Sequence, residues 1–199
     1  MYPTLEEYIS SIVEDAGNLA KERIEILEAI VAYVYSTPNP RLNFICTHNS
    51  RRSHLSQIWA QAMADKFGVG LETFSGGTEA TAFNPNAVAA MQRAGFSIES
   101  GGGDNPKYKV RHTERMEAMI AFSKKFEEAP NPTQGFAAIM TCSEADAECP
   151  IVFGADQRIK LFYEDPKVAD GTPQESATYD ERCRQIATEM YYIFSQINR

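Results

Sequence analysis

From residue 41 onward, short apolar runs ending in turn residues alternate with stretches of helical spacing. The runs are 41–46 (Arg-Leu-Asn-Phe-Ile-Cys), 70–75 (Gly-Leu-Glu-Thr-Phe-Ser), 136–141 (Gly-Phe-Ala-Ala-Ile-Met) and 158–163 (Arg-Ile-Lys-Leu-Phe-Tyr). Helical patterns near 53–67, 84–94 and 112–122 separate most of them. A last helix spans about 174–197, with Tyr179, Cys183, Ile186, Met190, Ile193 and Ile197 on one stripe. Strands alternating with helices read as parallel βαβ units, which bury a sheet between two helical layers. The predicted fold is therefore three-layer α/β/α around a four-stranded parallel sheet.

The first 40 residues follow a different pattern. Leu5, Tyr8, Ile9, Ile12, Val13 and Ala16 recur at helical spacing over 4–16, with Thr4 as N-cap and Gly17 as the stop. Asn18 caps a second helix to about Ser36, and Ser36-Thr-Pro-Asn-Pro40 breaks the chain. So short a segment cannot build its own core. Residues 1–40 are read as an N-terminal helical extension of a 41–199 domain, lying on that domain or forming a homodimer contact. There is no internal repeat and no low-complexity tract.

Composition narrows the function. Lys plus Arg number 19 against 27 Asp plus Glu, a net charge of −8. Nucleic acid is disfavoured as a partner, because phosphate-backbone binding needs a basic face. A small anion needs only a local positive pocket. No apolar run reaches the ~18 residues of a membrane span. The opening Met-Tyr-Pro-Thr-Leu-Glu-Glu lacks the basic and apolar regions of a signal peptide, so a cytoplasmic setting is expected. There the four cysteines, Cys46, Cys142, Cys149 and Cys183, are expected as free thiols.

Ligands of an open parallel sheet bind beyond the carboxyl ends of its strands. Segments 46–53, 76–84, 142–156 and 164–176 are placed there. The stretch from Lys124 to Gly135 precedes a strand and is assigned to the opposite edge as structural.

The densest chemical signal is Cys46-Thr-His-Asn-Ser-Arg-Arg52-Ser53, between a strand and a helix. A short loop that opens a helix turns successive backbone N–H groups towards one centre, and the helix dipole adds to the field. Thr47, His48, Asn49, Ser50, Arg51, Arg52 and Ser53 are the oxyanion-binding set. A cysteine at the start of such a loop is favoured as thiolate. Arg52 offers a fork for two oxygens of a tetrahedral oxyanion. Ser53 is placed to donate to the sulfur, and Asn49 tolerates a left-handed kink. His48 and Arg51 are read as solvated positive charge at the rim, without a catalytic role.

Asp165, in Tyr163-Glu164-Asp165-Pro166, follows the last strand, and the proline holds it extended. A carboxyl over the Cys46 edge would serve as general acid for a departing oxyanion. Alternation along the strand leaves Glu164 as the competing carboxylate.

Cys142 and Cys149 bracket Ser-Glu-Ala-Asp-Ala-Glu and precede Pro150. If the segment is helical, seven residues put them ~10.5 Å apart along the axis. A disulfide needs Cα atoms within about 7 Å, so bridging requires the turn to unwind. Zinc is the rival reading, but there is no Cys-x2-Cys, and His48, His54 and His112 are distant in sequence. No metal is assigned. Two unrelated core thiols remain the plain alternative, and Cys183 is read as core.

With these residues in place, the chain from 41 to 199 resembles the low-molecular-weight protein tyrosine phosphatase superfamily, and within it most the thioredoxin-coupled arsenate reductases. Cys46-Thr-His-Asn-Ser-Arg-Arg-Ser matches the phosphatase loop, and Glu-Asp165-Pro matches the general-acid loop. The Cys142 to Cys149-Pro segment is similar to the redox segment of the reductase branch. Phe74-Ser-Gly-Gly-Thr-Glu and Asn84-Pro-Asn-Ala-Val-Ala-Ala-Met resemble the second strand and following helix.

The resemblance implies catalytic roles for Cys46, Arg52, Asp165, Cys142 and Cys149. It implies arsenate or a phosphoester as substrate, thioredoxin as reductant, and no cofactor. A phosphatase working through a phosphocysteine is the alternative activity, and a non-catalytic oxyanion-binding or redox module is the third. Four features depart from the family. His48 stands where it usually has glycine, Arg51 replaces a smaller residue, residues 1–40 have no counterpart, and the stretch before the third strand is longer. A positive φ at His48 would strain the loop.

Overall fold

The computed structural model describes residues 1–149 and 151–197. Pro150 and residues 198–199 lie outside the described residues.

Two helices open the chain, α1 (Pro3–Gly17) and α2 (Lys21–Ser36). Then follow β1 (Arg41–Cys46), α3 (Arg52–Phe67), β2 (Glu72–Gly77) and α4 (Pro85–Arg93). Three short strands come next: β3 (Ser97–Ser100), β4 (Tyr108–Arg111) and β5 (Met119–Ala121). The chain ends with β6 (Phe136–Met140), α5 (Ser143–Glu148), β7 (Ala155–Lys160), a 3-10 turn (Pro166–Ala169) and α6 (Glu175–Ile197).

The main sheet is four-stranded and parallel, in the order β2-β1-β6-β7, as the alternating pattern implies. The period of two along its central strands sorts side chains to two faces. Leu42 and Phe44 of β1, with Ala137 and Ile139 of β6, join a large core with α3 and α6. Ile45, Cys46, Ala138 and Met140 face a smaller core with Ala145 of α5 and Val152. Cys46, the last residue of β1, belongs to the smaller core. Helix α3 is sandwiched, and every residue from Arg52 to Ala64 except Gln61 is buried. Trp59 at its centre stacks on Tyr8 of α1, with ring centroids 5.6 Å apart. The extension shares this core, because Leu5, Ile9, Ile12, Leu27 and Ile30 are buried in it.

Three expectations need correction. The helical pattern at 112–122 is not a helix: β3, β4 and β5 form an antiparallel sheet of their own. The alternation that specifies it is only a few residues long. Tyr108, Val110 and Ala121 are buried, whereas Lys109 and Ile120 are exposed, and pairing overrides local helix preference there. Asn18 closes α1 rather than opening α2, whose N-cap is Ala20. The last strand runs 155–160 rather than 158–163. Its apolar extension still pairs, with Leu161 N donating to Met140 O (2.9 Å) and Tyr163 N to Thr141 O (3.1 Å).

Candidate active site

Strand β1 ends at Cys46, and α3 begins at Arg52. The intervening carbonyls are tied to neighbouring segments. Cys46 O accepts from Thr78 N (3.1 Å), Thr47 O from Glu79 N (2.8 Å) and Ser50 O from Asn84 N (2.9 Å). His48 O accepts from Ser123 Oγ at 3.0 Å and Thr81 Oγ1 at 3.1 Å. None of the N–H groups of Thr47, His48, Asn49, Ser50 and Arg51 donates to a protein acceptor among the described residues. Arg51, at the helix N-cap, supplies no side-chain cap. A run of free amides at an uncapped helix N-terminus is what an oxyanion needs.

Asn49 takes the left-handed conformation (φ 44°), as its residue type suggested. His48 does not, so the loop carries no strain there. Gly77 lets β2 come this close: a Cβ on it would lie 2.6 Å from Thr47 O and 2.7 Å from Asn49 N.

Cys46 is buried, with its Sγ 3.0 Å from Ser53 Oγ. Asn49 Nδ2 donates to that oxygen at 2.9 Å, so the Ser53 proton is free to point at the sulfur. Asn49 Oδ1 accepts from Lys124 N at 3.0 Å. Arg52 is buried beside the loop. Its Nη1 donates to Tyr163 O (3.0 Å) and its Nη2 to Asp165 Oδ2 (2.9 Å), and its Nε is buried without a protein partner. The two candidate carboxylates are placed differently. Asp165 reaches Arg52, whereas the Glu164 side chain is 92% exposed and only 3.8 Å from Arg182. His48 sits at the rim, 3.6 Å from Glu79.

Two sequence readings fail at this edge. Arg51 is not solvated. Its side chain is 12% exposed, and its Nε donates to the Tyr179 hydroxyl at 2.7 Å. Nor does the stretch from Lys124 lie at the opposite edge. The chain leaving β5 first crosses the ligand edge, pairing with the end of β2 through Gly77 N to Lys124 O and Phe126 N to Gly77 O, both 2.9 Å. Lys124 is buried under the loop, and burial pushes its ammonium down to about 8. No spacing signal marked Ser123 or Lys124, because their contacts to the loop come only through tertiary folding.

Cys142 and Cys149 are the N-cap and C-cap of α5, and both thiols are free. Cys142 Sγ is fully buried, 3.6 Å from Thr47 Oγ1 and 3.5 Å from Ala145 N. Burial pushes its thiol up, with the Ala145 N–H, the Thr47 hydroxyl and the Arg52 charge opposing. Cys149 is partly exposed and is also pushed up, by burial and then by the carboxylates of Glu148 and Glu127. It lines an apolar cavity of about 510 Å³ with Phe126, Phe136, Ile151 and Phe153. Cys183 lies apart in the main core, accepting from Trp59 Nε1 (3.3 Å), and burial pushes it up to about 12.

Arg158 of β7 holds the end of α5, donating to Asp146 O (2.7 Å) and Cys149 O (3.1 Å) and pairing with the Asp146 carboxylate. The expected effect of Arg158→Met is roughly tenfold faster amide exchange over 145–149, since a charge-assisted bond of ~1.4 kcal/mol is lost. Hydrogen-exchange mass spectrometry reads this directly, and unchanged exchange would show that Arg158 does not restrain the segment. No cluster of three or more His, Cys, Asp or Glu residues suited to a metal occurs among the described residues. No helix among them is long and apolar enough to cross a membrane.

A cysteine and an arginine flank a loop of free amides, and an aspartate is bonded to that arginine. The family model of the low molecular weight phosphotyrosine protein phosphatases matches residues 41–141, and the chain belongs to that family. Within it, the chain is similar to proteins named arsenate reductase. That of Bacillus licheniformis is 28% identical over 154 residues, covering 77% of this chain and 93% of the relative. That of Bacillus cereus is 30% identical over 124 residues, covering 62% and 74%. The fold is also that of the low molecular weight phosphotyrosine phosphatase from Vibrio cholerae O395, with TM-score 0.54, 12% identity, and coverage of 79% of this chain and 95% of that one.

Proposed function

We propose that the protein is an arsenate reductase in which three thiols act in turn. Arsenate binds to the loop amides and the Arg52 fork. The Cys46 thiolate attacks arsenic, and Asp165 protonates the oxygen that departs as water. The Cys142 thiolate then attacks Cys46 Sγ. The sulfur–arsenic bond breaks, its electron pair stays on arsenic, and arsenite leaves as arsenic passes from the pentavalent to the trivalent state. Cys149 attacks Cys142 and frees Cys46. The Cys142–Cys149 disulfide is reduced by a dithiol protein of the thioredoxin kind.

The observation that most supports this reading is the second buried thiol, Cys142, placed 3.6 Å from the first residue of the loop. A third thiol stands at the other end of the same short helix. Attack by Cys142 requires its thiolate, and its thiol is pushed up, so this step is expected to accelerate as pH rises.

Hydrolysis of phosphoesters is the second reading. The family match favours it, and the loop with Asp165 suffices for it without the thiol pair. Both readings give Asp165 the same task, which one series tests. Asp165→Asn is expected to lower hydrolysis of aryl phosphates with poor leaving groups by roughly 10²-fold or more, and those with good ones far less. Glu164→Gln is expected to be mild throughout. Equal losses across the series would leave Asp165 without an acid role.

A further inference from the structure

The segment carrying Asp165 is a short turn bonded to Arg52, and something must hold it in place while Arg52 changes partner. Arg52 is bonded to Asp165 Oδ2, yet its fork is the group that an oxyanion would take. Arg51 is different. Its Nε donates to Tyr179 Oη (2.7 Å) and its Nη2 to Asp170 Oδ2 (3.2 Å). The Tyr179 hydroxyl donates to the other Asp170 oxygen at 2.8 Å, which closes a ring of three side chains. Tyr179 belongs to α6 and is fully buried.

Asp165 and Asp170 bracket the 3-10 turn Pro166–Ala169, and Asp165 caps it by accepting from Lys167 N at 3.0 Å. Arg51 therefore grips the far end of the turn through Asp170. It stands 3.9 Å from Asp165 Oδ1 at the near end. Its charge is matched by Asp170, which is closer than Asp165.

We propose that Arg51 is the positioning residue for Asp165: with Asp170 and Tyr179 it holds the acid turn in place while Arg52 is given up to the oxyanion. This rests on Asp165 being the general acid. Placement matters at this scale, because a shift of about 1 Å at a reacting group can cost ~10²-fold. The Arg51 backbone amide stays in the anion loop whatever its side chain does. Side-chain variants therefore separate aim from binding.

The test is a double-mutant cycle on the full chain with phenyl and dinitrophenyl phosphates, using kcat/KM and inhibition by inorganic phosphate. Arg51→Met is expected to lose roughly 10- to 100-fold on phenyl phosphate. On dinitrophenyl phosphate the loss should stay within about threefold, with phosphate inhibition little changed, because a good leaving group needs little protonation. Tyr179→Phe keeps the buried ring and removes only the hydroxyl, so it should show the same selectivity at smaller size even if Arg51→Met folds poorly. Combined with Asp165→Asn, Arg51→Met should add no further loss. Additive losses, equal losses on both esters, or tenfold weaker phosphate inhibition would overturn the proposal. If Asp165→Asn is selective and both Arg51→Met and Tyr179→Phe are not, only this proposal fails. If Asp165→Asn is itself unselective, the general-acid reading fails and takes this one with it.

Discussion

Cys46→Ser is expected to abolish arsenate reduction and phosphoester hydrolysis together, by on the order of 10⁴-fold or more. A serine hydroxyl ionises far less readily than a thiol, so almost no nucleophile exists at neutral pH. The substitution is close to isosteric. Cys46 is buried, and Ser53 Oγ at 3.0 Å remains as a partner for the new hydroxyl. The free amides of Thr47–Arg51 and the Arg52 fork are untouched, so inhibition or protection by inorganic phosphate should persist. Rate loss with retained anion binding would identify Cys46 as the attacking group. Turnover within about tenfold of wild type would move the nucleophile elsewhere.

The second large effect divides the two activities. Cys142→Ser and Cys149→Ser are each expected to stop multiple turnover of arsenate while phosphoester hydrolysis stays within a few-fold of wild type. The first attack uses Cys46, the loop and Asp165. Only the release of arsenite needs the further thiols. The two variants should also stall differently. Without Cys142, the chain should stop with arsenic still bonded to Cys46 and no Cys46 disulfide formed. Without Cys149, the chain should stop as a Cys46–Cys142 disulfide. The relay needs movement as well, because Cys142 and Cys149 cap opposite ends of α5, ~10.5 Å apart along an intact helix and beyond disulfide reach. The helix has only six residues, and Arg158 ties its far end, so unwinding must break those contacts. If both serine variants turn over arsenate normally, the phosphatase reading becomes the better account.

Much of this was legible in the sequence, for identifiable reasons. The parallel sheet announced itself because β1 and β6 are buried on both faces, β6 as an unbroken apolar run and β1 as one interrupted only by Asn43 after Arg41. The anion loop was legible because its parts are contiguous, from Cys46 to Ser53. What stayed hidden depends on contacts between distant segments. The β3–β5 sheet rests on strands of three and four residues, too short for a period to show. Lys124 reaches Asn49 across 75 residues, and Arg51 reaches Tyr179 across 128. A charged side chain next to a binding loop looks solvated until its partners are known. Glu164 and Asp165 are equivalent by residue type and separate only once Arg52 is seen beside one of them.

The relay itself is tested most directly by mapping thiols after one turnover. The reduced protein is given one equivalent of arsenate without an external reductant, quenched by alkylation, and digested under non-reducing conditions. The account predicts a Cys142–Cys149 disulfide in the wild type, with Cys46 and Cys183 alkylated, and a Cys46–Cys142 disulfide in the Cys149→Ser variant. Recovery of all four cysteines as free thiols after exposure to arsenate would contradict it.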